Sequence, residues 1–198
     1  MPKLPQQLLN SLSQLEHFNV EAFVEAHTEE NKITSVRLNP LKKTELDFKV
    51  NDKVAWSNDG YYLNERPSFT YDPLFHAGCY YVQEPGSMFI EFALKETLDL
   101  TKHIKVLDAC AAPGGKSTVI NSLISDESLL IANEFIKSRA DILAQNLSKW
   151  GTCNTIVTNN DTQKFSELVS FFNAIVIDAP CSGSGLFRKQ PDALDHWS

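Results

Sequence analysis

From residue 104 onward, short apolar runs alternate with amphipathic stretches over short connections, and few architectures accept that pattern. Residues 104–108, 129–132, 155–157 and 174–177 read as strands. Residues 114–123, 136–150 and 163–171 read as helices, the second ended by Gly151. Strands and helices in strict alternation imply a doubly wound, mostly parallel α/β sheet with helices on both faces.

The first part of the chain has a different character. Residues 6–30 read as two short helices, with Asn19 as an N-cap and Val20, Phe23, Val24 and His27 on one face. Residues 34–39, 53–56 and 61–63 alternate as strands do, with Asn58-Asp59-Gly60 as a turn. Residues 1–72 therefore form a small N-terminal α+β domain, and residues 73–198 the parallel-sheet domain, entered through a helix that Gly86-Ser87 opens.

Net charge at pH 7 is −7, so the chain gains no long-range attraction to a polyanion. Contact with RNA needs a local basic face, and Lys42, Lys43, Lys49 and Lys53 near Trp56 are the candidate. The alternative is a set of solvated lysines around a minor core. Cys79, Cys110, Cys153 and Cys181 are scattered without a Cys-x-x-Cys pair, which argues against a metal and against a disulfide scaffold. No stretch reaches membrane-spanning length and no apolar leader opens the chain, so a reduced, cytoplasmic protein without membrane contact is expected.

Two segments carry chemistry. The turn after the first strand of the parallel sheet reads Asp108-Ala109-Cys110-Ala111-Ala112-Pro113-Gly114-Gly115-Lys116-Ser117. Small residues let a ligand approach the backbone, and the following helix offers free N–H groups. Gly115-Lys116-Ser117 is like the end of a phosphate-binding loop, but Cys110 stands where that loop needs glycine and Pro113 removes an N–H. A nucleotide hydrolase is therefore disfavoured. Glu134, Asp161 and Asp178 instead close successive strands with carboxylates, a set suited to a nucleoside lacking a pyrophosphate. The second segment, Asp178-Ala179-Pro180-Cys181-Ser182-Gly183, delivers a carboxylate and a thiol together at a strand end.

These two motifs resemble the NOL/NOP/Sun (Fmu-like) RNA cytosine-5 methyltransferases. Val36-Arg37-Leu38-Asn39 and Tyr81-Val82-Gln83-Glu84-Pro85-Gly86-Ser87-Met88 are similar to that family's entry segments, and residues 187–194 to bacterial 16S ribosomal RNA enzymes of the F type. The resemblance implies a Rossmann-like class I methyltransferase fold and S-adenosylmethionine as cofactor. It places the cofactor's amino-acid end along Cys110, Ala111, Ala112, Pro113, Gly114, Gly115 and Lys116. Glu134 would then hold the ribose, Asp161 would lie near the adenine, and Asp178 beside the methionine and the target base. Arg139 would support Glu134 or lie free on the surface.

Methylating carbon 5 of cytosine needs a thiolate adding to carbon 6, since the ring is otherwise a poor nucleophile. Read from residues alone, Cys181 is that nucleophile, and Asp178 hydrogen-bonds or protonates the ring as charge develops. The resemblance assigns Cys181 to product release and the attack to a later Thr-Cys motif. Thr152-Cys153 falls too early to be that motif. The expectation is a C-terminally truncated sheet: the N-terminal part of an enzyme of ribosomal RNA, with cofactor binding but little turnover by itself. A non-catalytic module binding RNA or cofactor is the alternative. An apolar last strand left at the sheet edge would favour self-association, with residues 182–198 mobile or packed on another copy.

Overall fold

The computed structural model describes residues 4–28, 33–181 and 187. The chain divides into two compact units, residues 33–178 and residues 1–32 with 179–198.

In the smaller unit, α1 (Gln6–Leu12) and α2 (Val20–Thr28) are the two expected helices. Asn19 caps α2 by accepting the Ala22 N–H at 2.9 Å. Leu4, Leu8 and Phe187 are buried together, with Phe23 and Val24 packed against them. His27 spends Nδ1 on the Phe23 carbonyl at 2.7 Å, an ordinary edge-of-core histidine. The expectations for residues 182–198 lie, Phe187 apart, outside the described residues.

The larger unit begins with β1 (Thr34–Leu38), β2 (Gly60–Leu63), α3 (Pro73–His76) and β3 (Tyr80–Val82). These strands form an antiparallel sheet in the order β2-β1-β3. Since β3 pairs directly with β1, the small sheet draws on residues from both sides of the expected boundary after residue 72. The expected strand at 53–56 is reduced to one bridge, Lys53 to Tyr61. Its backbone is taken by a turn: Val54 N–H donates to Gly60 O and Ser57 N–H to Val54 O. Buried Glu91 fixes that turn, accepting from Ser57 Oγ at 2.6 Å and Asn58 N–H at 3.0 Å.

Next come α4 (Pro85–Met88), α5 (Ile90–Thr97), β4 (Lys105–Asp108), α6 (Gly115–Leu123), β5 (Leu129–Asn133), α7 (Lys137–Trp150), β6 (Thr155–Thr158) and β7 (Ala174–Val176). The one helix expected after Gly86 is thus two pieces. The four later strands form a parallel sheet in the order β6-β5-β4-β7, the expected doubly wound arrangement. Apolar residues fill both faces. Val106, Leu130 and Ala132 meet Ile120, Leu143 and Leu147 on one side, whereas Leu107 and Ile131 meet Phe165, Phe171 and Phe172 on the other.

The helix expected over 163–171 is only a short 3₁₀ segment, Thr162–Glu167. Leu168 and Val169 are 41% and 83% exposed, so the apolar stripe that suggested a helix finds nothing to pack on. On β7 and just after it, Ile175 and Ile177 are 57% and 67% exposed. Among the described residues, no helix is long and apolar enough to cross a membrane.

Two side chains of the small sheet tie it to α7. Asn39 Nδ2 donates to the Gly78 and Trp150 carbonyls, each at 2.9 Å. The Arg37 guanidinium lies 4.5 Å from the centre of the Trp150 ring. The expected basic face is partly spent on the same junction: Lys42 donates to Ala77 O at 2.7 Å and to Lys149 O. Lys43, Lys49 and Lys53 remain exposed.

Candidate functional site

In an open parallel sheet, successive connections leave for opposite faces where the strand order reverses, and a crevice opens there. Here that point lies between β4 and β7. A cavity of about 260 Å³ at this rim is lined by Tyr81, Gln83 and Ser87, by the turn at residues 110–113 with Gly115 and Lys116, and by Asp178. The glycine turn and the aspartate of the second motif are thereby brought together.

The turn is held from three sides. Ala109 N–H donates to Val176 O at 2.9 Å, Ala111 N–H to Asn133 O and Gly114 N–H to Ala111 O, the last two at 2.8 Å. Gly114 has φ +112°, a left-handed conformation that glycine adopts without strain. Arg139 Nη2 donates to Ala112 O at 2.9 Å and Asn146 Nδ2 to Pro113 O at 2.8 Å. With these carbonyls occupied, what the turn and α6 present to a ligand is mainly N–H.

Lys116 Nζ meets Asp178 Oδ2 at 2.6 Å, and Asp178 remains 59% exposed. Ser117 is fully buried and donates to Asp108 Oδ2 at 2.7 Å. Neither residue is therefore available as a phosphate-binding loop would use it, with the lysine on a phosphate and the hydroxyl on magnesium.

Asp108 is fully buried, and its Oδ1 has no hydrogen-bond partner among the described residues. Burial pushes its carboxyl up to about 6, despite the Ser117 hydroxyl and the nearby Lys116. The folded state therefore holds this proton more tightly than the unfolded chain, and the stability that Asp108 contributes is lost as pH rises from about 4 through about 6. Relative to Asp108→Asn, the native chain should lose roughly 3 kcal/mol of unfolding free energy across that window. Urea titrations of both proteins between pH 4 and 7 measure this; a constant difference would refute it.

Cys110 is partly buried. Burial, then the charges of Glu134, Asp108 and Asp178, push its thiol up, which disfavours the thiolate. Asp178 lies in the larger unit and Cys181, exposed, in the smaller.

Glu134 and Asp161 close β5 and follow β6, as expected, but neither lines the cavity. Glu134 is buried, accepting the Ile136 N–H at 2.9 Å, with Arg139 Nη1 at 3.4 Å from its Oε2. Asp161 is exposed and caps the 3₁₀ segment by accepting from Gln163 N–H at 2.9 Å. Sequence reasoning overlooked Asn133, fully buried, which accepts from Thr158 Oγ1 and Asn160 N–H and donates to Ala109 O and Asn160 O. Its only sequence signal is an amide at the end of an apolar strand. Among the described residues no cluster of His, Cys, Asp and Glu can hold a metal ion.

Known proteins share this arrangement. Residues 95–196 match the family model described as 16S rRNA methyltransferase RsmB/F, and residues 4–85 match the N-terminal domain of 16S rRNA methyltransferase RsmF. The ribosomal RNA small subunit methyltransferase F of Shewanella woodyi is 34% identical over 213 residues, covering 100% of this chain and 44% of the relative. The protein of that name from Aeromonas salmonicida is 34% identical over 211 residues, covering 98% and 44%. A methyltransferase homolog protein from Pyrococcus horikoshii superposes with a TM-score of 0.78 at 27% identity, over 98% of this chain and 65% of that one. The chain thus spans less than half the length of these curated relatives. On these matches and on the fold, the chain belongs to the 16S rRNA methyltransferase RsmB/F family.

Proposed function

We propose that the whole protein methylates carbon 5 of a cytosine in ribosomal RNA, in the cytoplasm, with S-adenosylmethionine as cofactor. The observation that carries this reading is the cavity at the β4–β7 switch point, where the small-residue turn and Asp178 share one wall system. The residues suit the cofactor's amino-acid end: Gly115 leaves backbone uncovered, and Gln83 Nε2 in the cavity wall is a donor without a partner among the described residues. When bound, the cofactor supplies an electrophilic methyl group.

In this reading residues 110–116 bind the amino-acid end and Glu134 takes the ribose. Arg139, touching both Glu134 and the Ala112 carbonyl, sets the spacing between those two contacts. Asp161 stands by the adenine. Asp178, already paired with Lys116, orients the target base and moves a proton at its ring. Cys181 serves product release, and the attacking thiol belongs to the Thr-Cys motif that the family resemblance requires. The RNA meets the protein partly through the exposed lysines of the small sheet.

The test is methyl transfer from labelled S-adenosylmethionine to ribosomal RNA by the full-length protein. Label recovered as 5-methylcytosine supports the reading; label on another atom or on protein alone refutes it. The 198-residue chain, assayed beside it, should transfer little.

A further inference from the structure

Gln83 stands in the cavity wall and is tied to β1 through both its backbone and its side-chain oxygen. It is 7% exposed. Its backbone N–H donates to Ser35 O at 3.2 Å, and its carbonyl accepts from the Ser35 hydroxyl. Its side-chain Oε1 accepts from Arg37 Nε at 3.0 Å. Arginine has donors only, so this contact fixes which end of the amide is oxygen. Nε2 must then point away from Arg37, and it has no hydrogen-bond partner among the described residues. Its direction is legible from Gly115: a Cβ there would lie 3.3 Å from Nε2. The amide nitrogen therefore sits over the first residue of α6, a nine-residue helix whose leading N–H groups have no intrahelical acceptor.

Electrostatics reinforce the geometry. Arg37 is 1% exposed, and its hydrogen bonds go to the neutral oxygens of Gln83, Thr118 and Ser122. No carboxylate among the described residues forms an ion pair with it. A cation donating to Oε1 polarises the amide and makes its N–H groups stronger donors. The positive end of α6 adds to the same field. An orphaned, polarised donor beside a helix N-terminus calls for an anionic oxygen.

We propose that Gln83 Nε2 and the N-terminus of α6 together bind a carboxylate, the α-carboxylate at the amino-acid end of the cofactor. This rests on the S-adenosylmethionine reading. An RNA phosphate offers similar oxygens, but Glu84 and Asp178 line the same cavity. Asp178, which also holds Lys116, offers an oxygen to the ammonium of an α-amino acid, a group that a phosphate chain does not bring.

Calorimetry on the 198-residue chain tests the assignment with two ligands. S-adenosylhomocysteine carries the amino-acid end, and 5′-methylthioadenosine is the same nucleoside without it. Gln83→Glu keeps an oxygen for Arg37 but turns the donor into a second oxygen; Gln83→Met removes both polar atoms at similar volume. Each variant should weaken S-adenosylhomocysteine by about 10- to 100-fold, the loss of a hydrogen bond to a charged group, and leave methylthioadenosine within about twofold. Unchanged S-adenosylhomocysteine binding, or equal weakening of both ligands, would overturn the proposal while leaving the cofactor reading intact. Weakened binding of an RNA oligonucleotide with S-adenosylhomocysteine unaffected would overturn it in favour of a phosphate. Native chain that binds neither nucleoside would bring down the cofactor reading and the proposal with it.

Discussion

Replacing Asp178 by Asn should cut methyl transfer by the full-length protein by about 10²- to 10⁴-fold, the range for losing a positioned acid–base group. Lys116 would keep its place on α6 but lose its carboxylate partner at 2.6 Å, and in the proposed reading the target base would lose the carboxylate that orients it. Stability should barely move. Asp178 is 59% exposed, and pairs open to solvent contribute about 0.2–1 kcal/mol. Single-turnover transfer of labelled methyl, run beside a thermal melt, separates the two effects. A large drop in melting temperature with transfer intact would mean that the pair is structural.

Replacing Trp150 by Ala should act the opposite way, through stability. Trp150 is 1% exposed at the C-terminal end of α7, its ring beneath Arg37 and its carbonyl holding Asn39. Truncating a buried tryptophan costs about 3–5 kcal/mol. Because Arg37 also fixes Gln83, the loss should loosen the cavity wall as well as the junction between the sheets. Urea denaturation measures the first effect. The second appears as weaker binding of S-adenosylhomocysteine at urea concentrations where the variant is still folded.

The parallel sheet was legible because its strands are buried on both faces, and such strands appear as continuous apolar runs that few other elements imitate. Gly151, ending α7 with φ +92°, was legible for the same kind of reason: a left-handed residue has a chemical signature. Elements that depend on what they pack against were not. Residues 163–171 carry a helical stripe, but Phe165, Phe171 and Phe172 turn into the sheet face while Leu168 and Val169 stay in solvent. Residues 53–56 alternate like a strand, yet their neighbour is a turn anchored on Glu91, which lies 33 residues beyond Asn58.

The site divides along the same line. Its rim residues, Cys110 to Lys116 and Asp178, are contiguous motifs with local geometry, and they read directly. Its supports are not local. Asp108 and Ser117 form a buried pair, Asn133 joins three strand ends, and Gln83 in the cavity wall is held by Arg37 of the small sheet. Such contacts link residues 9 to 46 positions apart, beyond any periodicity that a single sequence displays.

We propose that this rim is a nucleoside-cofactor site and not a phosphate cradle. Calorimetric titration of the 198-residue chain with S-adenosylhomocysteine, and separately with ATP and magnesium, tests it most directly. Saturable one-to-one binding of S-adenosylhomocysteine and no heat of binding from ATP–magnesium is the predicted result. Tight binding of ATP–magnesium with none of S-adenosylhomocysteine would contradict it.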